Sequence, residues 1–180
     1  MRCFIAIDLP EDIKQELAKI QAELPQENTK LLNVSPEILH LTLRFLGEIN
    51  DDQVNKIKDI FKSVKLTKFR ARLNSAGVFP SEDFIRVVWV NLEPSDKFKE
   101  IRDLIESELE KAGFKKDERF ESHVTLARVR WIKDRKDFID KLKKISIKPL
   151  EFDVSNIKLK KSTLTLKGPI YEDVLRIEMV

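Results

Sequence analysis

Both histidines of this 180-residue chain lie in the same four-residue pattern. The two patterns are His40-Leu41-Thr42-Leu43 and His123-Val124-Thr125-Leu126. The chain has only six threonines, so chance would place one two residues after each histidine in about one sequence in a thousand. The repeated pattern therefore indicates that the chain contains an internal repeat, and each half of the fold must accommodate one copy.

Each tetrad is predicted to be a β-strand, because the residues beside the histidine and the threonine are apolar. Side chains alternate between the two faces of a strand. His40 and Thr42 therefore share one face of the first strand, and His123 and Thr125 share one face of the second. The opposite faces carry only leucine and valine, which are expected to pack into a core. The sequence thus predicts two matching polar patches.

Apolar spacing along the rest of the chain predicts a mixture of helices and strands. Helices are predicted at residues 11–24, 51–64, 94–112 and 138–145. Strands are predicted at residues 2–9, 31–34, 39–46, 69–78, 85–92, 121–130, 152–159, 162–166 and 171–179. Gly77 is expected to end a strand, residues 79–81 are expected to form a loop, and Gly168-Pro169 is expected to form the last turn.

The order of these elements lacks the regular strand–helix alternation of a doubly wound parallel sheet. The sequence therefore predicts an α+β fold of two similar lobes. No low-complexity linker separates the halves, so residues 1–180 are expected to form one bilobal domain. The length of the chain is sufficient for such a core.

Composition limits the class of protein. No apolar run approaches the roughly 18 residues of a membrane span, and the start of the chain lacks a signal-peptide pattern. The single cysteine, Cys3, has no partner for an internal disulfide. These features predict a soluble cytoplasmic protein. The net charge is only +3, and the basic segments 62–72 and 158–161 are either a phosphate-binding surface or ordinary surface residues.

Several chemistries lack the residues that they need. The chain has no Gly-x-Ser-x-Gly elbow, and its four glycines form no phosphate-binding loop. Two histidines without cysteine or carboxylate ligands at fixed spacing do not form a zinc signature. Paired histidines can instead act as general base and general acid at phosphorus. The threonine hydroxyls can donate to a phosphoryl oxygen. The alternative is that both histidines are ordinary structural residues.

The paired tetrads and the residues around them resemble the two-histidine phosphoesterase superfamily. The specific resemblance is to the RNA 2′,3′-cyclic phosphodiesterases, also called 2′-5′ RNA ligases. Six segments carry it in the expected order, namely residues 2–10, 39–47, 79–80, 86–89, 123–128 and 168–171. Together they extend over nearly the whole chain. A single tetrad would carry little weight, but the pair is specific.

The resemblance implies two lobes, each a mostly antiparallel sheet with helices packed on its outer face, and an active-site cleft between the sheets. It implies hydrolysis of the terminal 2′,3′-cyclic phosphate of RNA to a 2′-phosphate, with no metal or other cofactor. The partner would be an RNA end, for which a tRNA fragment is one source, and the protein would act as a monomer. The alternatives are ligation of that end to a 5′-hydroxyl, and a non-catalytic RNA-binding module.

The resemblance also assigns roles to individual residues. His40 would be the proton donor to the departing O3′, and His123 would be the proton acceptor that activates water. Thr42 and Thr125 would hold the phosphoryl oxygens. Arg128 lies where the family places an arginine that contacts the phosphate.

Strict alternation does not put Arg128 on the required face, because it sends this residue to the Leu126 side of the strand, away from His123. A bulge or the end of the strand must therefore redirect it. By the same count Arg44 shares the His40 face and is the geometric candidate for a phosphate contact. Either arginine could instead form a surface ion pair. Three aromatic residues are expected in the core, with base stacking as the alternative: Phe45, Phe79 and Trp89.

Overall fold

The computed structural model describes residues 1–180 and contains nine strands and four α-helices. The strands are β1 (Arg2–Asp8), β2 (Thr29–Asn33), β3 (His40–Glu48), β4 (Phe69–Ser81), β5 (Phe84–Glu93), β6 (His123–Ile132), β7 (Glu151–Val154), β8 (Asn156–Thr165) and β9 (Gly168–Glu178). The helices are α1 (Glu11–Glu23), α2 (Asp51–Ser63), α3 (Ser95–Lys111) and α4 (Arg135–Lys143). A short 3-10 turn, Pro36–Ile38, precedes β3.

The strands form one curled antiparallel sheet with the order β7-β4-β5-β6-β3-β1-β8-β9, and β2 also pairs with β6. A single residue pair, Leu41 with Val124, joins β3 to β6. This pair divides the sheet into one half built from β1, β3, β8 and β9 and another built from β2 and β4 to β7. The prediction of an α+β fold with two similar lobes is confirmed.

The helices cover the apolar faces of the two half-sheets. Helix α2 contacts β9 and α3, and α3 contacts β3 and β5. In the other lobe α1 contacts β6, and α4 contacts β4. The tetrad residues Leu41, Leu43, Val124 and Leu126 are all buried in the continuous apolar core. These four side chains pack on the side of the sheet that the helices cover. His40 and His123 therefore face the opposite side of the sheet.

Three predicted breaks are wrong: the strand end at Gly77, the loop at residues 79–81 and the turn at Gly168-Pro169. Gly77 does not end β4, which continues through residues 79–81. Glycine is needed there because the Trp89 ring lies against it, and a Cβ atom at position 77 would lie 2.3 Å from that ring. The last turn consists of residues 166–167 rather than Gly168-Pro169, which pair with β8 as the start of β9.

None of the four helices has the length and apolar character required to cross a lipid bilayer.

Candidate active site

The two tetrads meet at the junction of the half-sheets. Leu41 pairs with Val124 in antiparallel register, so that register places His40 across from Thr125 and Thr42 across from His123. All four polar residues are partly buried, whereas the residues between them are fully buried. The structure therefore brings the four predicted tetrad residues to one cleft, and each histidine faces the threonine of the other repeat.

Both imidazole rings are oriented by a backbone carbonyl. His40 Nδ1 lies 2.8 Å from the Ile38 oxygen, and His123 Nδ1 lies 2.8 Å from the Glu121 oxygen. A carbonyl oxygen only accepts hydrogen bonds, so Nδ1 carries the proton in each neutral ring and Nε2 is left for chemistry. His40 Nε2 lies 2.9 Å from Thr42 Oγ1.

Aromatic side chains shield the imidazoles from water. Phe4 and Tyr171 lie against His40 at centroid distances of 5.0 and 5.4 Å, and Phe79 meets His123 edge-on at 4.9 Å. Burial lowers the pKa of both histidines below the ordinary 6.5, although the carbonyl hydrogen bonds oppose this shift. Both rings are therefore mainly neutral at pH 7 in the free protein.

A β-bulge turns Arg128 toward the cleft. The register between β5 and β6 shifts by one residue between Val88 and Trp89. Trp89 pairs with Thr125, and Val87, which shares the face of Trp89, pairs with Arg128. Arg128 is therefore exposed on the same face as Thr125, as the required redirection predicted.

A buried glutamine that sequence reasoning missed holds this bulge. The Gln21 amide nitrogen donates to the Leu126 oxygen at 2.9 Å and to the Val34 oxygen at 2.8 Å. The Val34 amide also donates to the Leu126 oxygen, at 2.8 Å. The extra residue of the bulge is thus fixed by a side chain of α1. The available signal was a polar residue one turn after Leu17 on the apolar face of that helix.

A second bulge turns Arg44 away from the cleft, so the prediction that it shares the histidine face is wrong. The register between β1 and β3 shifts between Ile5 and Ala6, and Arg44 pairs with Ile5 on the core side. Its Nε donates to Glu106 Oε2 on α3 at 2.7 Å. Arg44 is therefore a structural cation between the sheet and the helix.

The same bulge brings Phe45 to the cleft. Phe45 pairs with Phe4, and the two ring centroids are 6.2 Å apart. Its position, five residues after His40, is equivalent to that of Arg128, five residues after His123. Both side chains are solvent-exposed. The two repeats thus present an aromatic ring and a guanidinium at equivalent places.

The expectation that three aromatic residues lie in the core holds only in part. Phe45 is 63% exposed, so its predicted core position is wrong. Phe79 and Trp89 are partly buried, with ring centroids 5.0 Å apart. These two rings form the wall of the cleft behind His123.

A network of opposite charges lies beside His40. Asp8, which pairs with His40 across the β1–β3 ladder, contacts Lys158 Nζ at 2.8 Å and Lys160 Nζ at 2.9 Å. Asp173 contacts the same two groups at 2.6 and 2.9 Å. Burial by itself raises the pKa of Asp8. The hydrogen bonds from Lys158 and Lys160 together outweigh this effect, so the pKa of Asp8 lies below the ordinary 3.8. The positive charges of Lys158 and Lys160 are therefore neutralised by the carboxylates of Asp8 and Asp173.

The second repeat has a neutral group at the equivalent place. Asn91 pairs with His123 as Asp8 pairs with His40. Asn91 Oδ1 accepts hydrogen bonds from the Ser75 amide at 2.7 Å and from Ser75 Oγ at 3.0 Å. The charged surroundings of the two histidines therefore differ.

No three His, Cys, Asp or Glu side chains are grouped so that they could hold a metal ion.

Comparison with known proteins is consistent with the duplicated site. A model of the LigT like phosphoesterase family matches the chain twice, at residues 7–89 and 90–171. Each match contains one tetrad. The two repeats indicated by the histidines are therefore the two copies of a family unit.

Relatives share this similarity over their full lengths. A protein of Methanocaldococcus jannaschii named RNA 2′,3′-cyclic phosphodiesterase is 39% identical over 173 residues, which are 96% of this chain and 97% of that protein. One of the same name from Archaeoglobus fulgidus is 32% identical, over 97% of this chain and 98% of that one. A crystal structure of a Thermus thermophilus protein superposes with a TM-score of 0.85 at 28% identity, over 99% of this chain and 98% of that one. The chain belongs to the LigT like phosphoesterase family.

Proposed function

We propose that this protein hydrolyses the terminal 2′,3′-cyclic phosphate of RNA to a 2′-phosphate by general acid–base catalysis with its two histidines. The observation that carries the proposal is the equivalent mounting of the two imidazoles. In each ring Nδ1 lies on a carbonyl oxygen, which leaves Nε2 as the nitrogen that can transfer a proton, and the two strands are joined at Leu41 and Val124. The relatives named RNA 2′,3′-cyclic phosphodiesterase support the same substrate class.

The reaction is a displacement at phosphorus between the two rings. His123 Nε2 takes a proton from water, and the resulting oxygen nucleophile forms a new bond to phosphorus. The bond from phosphorus to O3′ breaks, and His40 Nε2 gives its proton to O3′. The 3′-hydroxyl and the 2′-phosphate are the products, and the two histidines exchange protonation states. Only side chains of the protein transfer protons in this scheme.

The threonines and Arg128 would stabilise charge on the phosphoryl group. Thr42 and Thr125 lie on the histidine faces of their strands, and their hydroxyls can donate to the two non-bridging oxygens. Arg128 lies on the same face as Thr125. Burial raises the pKa of Tyr171, and the positive charge of Arg128 opposes this shift. A guanidinium at this edge of the cleft can donate two parallel hydrogen bonds to the phosphoryl group.

The charges around His40 do not by themselves make it the proton donor. Burial lowers its pKa most, Lys160 and Lys14 lower it too, and Asp8 opposes them. The bound cyclic phosphate supplies a negative charge next to both rings, which raises the pKa of each and favours one imidazolium. We assign the donor role to His40 and the acceptor role to His123 from the family resemblance. The Nε2 of His123 has no protein partner, which supports its role in accepting a proton from water.

The working unit of the proposal is one chain. Each lobe supplies one histidine and one threonine, so a monomer of residues 1–180 acting as a single bilobal domain completes the site.

RNA ends of the proposed type arise where RNA is cut, which favours a cytoplasmic protein acting on fragments such as those of tRNA. Light scattering of the purified chain tests the monomer, and sequencing of RNA ends in cells lacking the gene tests the substrate.

One incubation tests the activity directly. An oligoribonucleotide ending in a 2′,3′-cyclic phosphate is incubated with the protein, with and without a second oligonucleotide carrying a 5′-hydroxyl. We expect a 2′-phosphate end in both samples. A joined product that depends on the second oligonucleotide would identify ligation instead. Binding without any new product would identify a non-catalytic module.

A further inference from the structure

The cleft face of the second lobe continues beyond the catalytic residues as a surface of exposed aromatic and basic side chains. It consists of Lys30, Phe84, Arg86 and Trp131, and we call it the basic–aromatic surface. Phe84 is 55% exposed and Trp131 is 52% exposed. Exposed apolar side chains that lie together and are rimmed by polar residues mark interaction surfaces.

Strand register places this surface on the cleft side of the sheet. Lys30 lies two residues before Leu32 in β2, and Leu32 pairs with Arg128. A second bulge lies in β6 between Arg128 and Trp131, where the register with β2 shifts between Lys30 and Leu31. Trp131 pairs with Lys30 and therefore shares the face of Arg128. The surface therefore adjoins the phosphate-binding arginine without a break.

The other aromatic side chain comes from the neighbouring strand. Phe84 pairs with Ser81, which lies two residues after the cleft-facing Phe79 in β4. The Arg86 guanidinium lies over the Phe84 ring at 5.0 Å from its centroid, within the range of a cation–π contact. Because Val87 pairs with Arg128, Phe84 and Arg86 lie at the same end of the antiparallel ladder as Trp131.

The positive charges of this surface are not neutralised by the protein. Lys30, Arg86 and Arg128 take part in none of the ion pairs, whereas Arg70 pairs with Glu151 and Asp153 at the far edge of the lobe. The basic segments that the sequence singled out are thus compensated at Arg70, Lys158 and Lys160. The other cations of segment 62–72 also form no ion pair. Lys30 and Arg86 differ from them because they lie beside exposed aromatic rings.

We propose that the basic–aromatic surface binds the single-stranded RNA that precedes the cyclic phosphate, with bases stacked on Trp131 and Phe84 and phosphates beside Lys30 and Arg86. Aromatic rings and cations in alternation are the features by which proteins hold single strands without reading sequence. Arg128 and Trp131 pair with Leu32 and Lys30, which are two residues apart in β2, so Trp131 lies about 7 Å along the sheet from Arg128. Stacked nucleotides about 3.4 Å apart cover this length in about two residues of RNA.

This inference rests on the proposed function, since it extends the same substrate in the 5′ direction. It makes the protein an enzyme of RNA ends rather than of free cyclic mononucleotides. The test compares a mononucleoside 2′,3′-cyclic phosphate with a tetranucleotide that ends in the same group. Trp131→Ala and Arg86→Gln are the variants, and Leu166→Ala and Lys58→Gln are the matched controls. The control residues are exposed, on the β8–β9 hairpin and on α2.

We expect Trp131→Ala to raise the KM of the tetranucleotide about 5- to 150-fold, which corresponds to one lost stacking contact, with kcat unchanged. The KM of the mononucleotide stays at the wild-type value, and the control variants change neither substrate. Arg86→Gln reduces the slope of log KM against log salt concentration by about 0.7 for the tetranucleotide alone. Circular dichroism of each variant checks that the fold is retained.

Equal effects on both substrates, or no effect on either, would overturn the inference while leaving the hydrolysis intact. A change of oligomeric state in Trp131→Ala, with KM unchanged, would assign the surface to a protein partner. If the wild type hydrolyses neither substrate, the proposed function fails by itself. The surface is then tested by fluorescence anisotropy with a tetranucleotide 2′-phosphate, and equal binding by wild type and Trp131→Ala would refute it.

Discussion

Arg44 Nε and Glu106 Oε2 lie 2.7 Å apart in a buried ion pair between β3 and α3, on the face of the strand that His40 does not use. Arg44 also donates to the backbone oxygen of Lys115. The residue two positions after Thr42 therefore joins the sheet to a helix. The arginine that we propose for the phosphate contact is Arg128, three positions after Thr125.

This difference predicts opposite effects for two arginine substitutions. Arg44→Met leaves the Glu106 carboxylate buried without its partner, so we expect a loss of about 3 kcal/mol in the free energy of unfolding. Its kcat/KM stays close to that of the wild type. Arg128→Met leaves stability unchanged and lowers kcat/KM about 10- to 100-fold, the value of a hydrogen bond to a charged group. Urea denaturation and steady-state kinetics check both, and a reversed pattern would contradict the assignment.

Substitution of either histidine tests the proton transfers. We expect His40→Ala and His123→Ala each to lower kcat by about 10²- to 10⁴-fold, the usual contribution of a general acid or base. Initial rates with a cyclic-phosphate oligonucleotide measure the effect, and circular dichroism confirms folding. Near-normal rates in both variants would rule out the mechanism.

The pH dependence follows from the lowered pKa of both histidines. One ring must be protonated and the other neutral, so the profile of kcat/KM is bell-shaped. Burial lowers both pKa values below 6.5 in the free protein, which places the maximum of kcat/KM below pH 6.5. The bound phosphate raises both values, so the profile of kcat lies at higher pH. A profile that only rises or only falls between pH 4 and 9 would contradict paired histidines.

Gly77→Ala tests the packing behind His123. The added methyl carbon would lie 2.3 Å from the Trp89 ring, so that ring must move. Trp89 contacts Phe79, and Phe79 contacts His123. We expect a loss of about 1–3 kcal/mol of stability from overpacking, together with a lower kcat. Thermal denaturation measures the stability and steady-state kinetics measure kcat. An unchanged kcat would show that the packing of Phe79 and Trp89 behind His123 does not affect the reaction rate.

The proposed proton transfers use only side chains, so chelation is expected to leave the rate unchanged. The rate with the cyclic-phosphate oligonucleotide is measured after dialysis against EDTA. Loss of activity that a divalent metal restores would show that the two histidines do not act alone.

The sequence was sufficient to predict the two lobes, the tetrad strands and the faces that carry the histidines, because each of these follows from periodicity within a short segment. Periodicity alone failed at the residues just after the threonines, where it misplaced Arg44 and where only the family resemblance indicated that Arg128 is redirected. There a bulge shifts the alternation by one, and what holds the bulge in β6 is Gln21, more than a hundred residues away in sequence. The same limit applies to Lys158 and Lys160, whose partner Asp8 lies at the other end of the chain.

Gly77 illustrates a different limit. Local chemistry correctly marks glycine as a weak strand residue, but the strand continues because a ring from the adjacent strand lies against the bare backbone. Such a contact depends on the pairing of two strands, so it cannot be predicted from the residues of one strand alone.

The pair of Leu41 and Val124 is the only backbone joint between β3 and β6. Helix α3 contacts both β3 and β5, so it packs across the two half-sheets, and one continuous apolar core lies beneath the joint. Packing on the helix side of the sheet therefore holds the two strands at a fixed spacing. Substitutions in that core are expected to change the distance between the two imidazoles without altering any polar residue of the cleft.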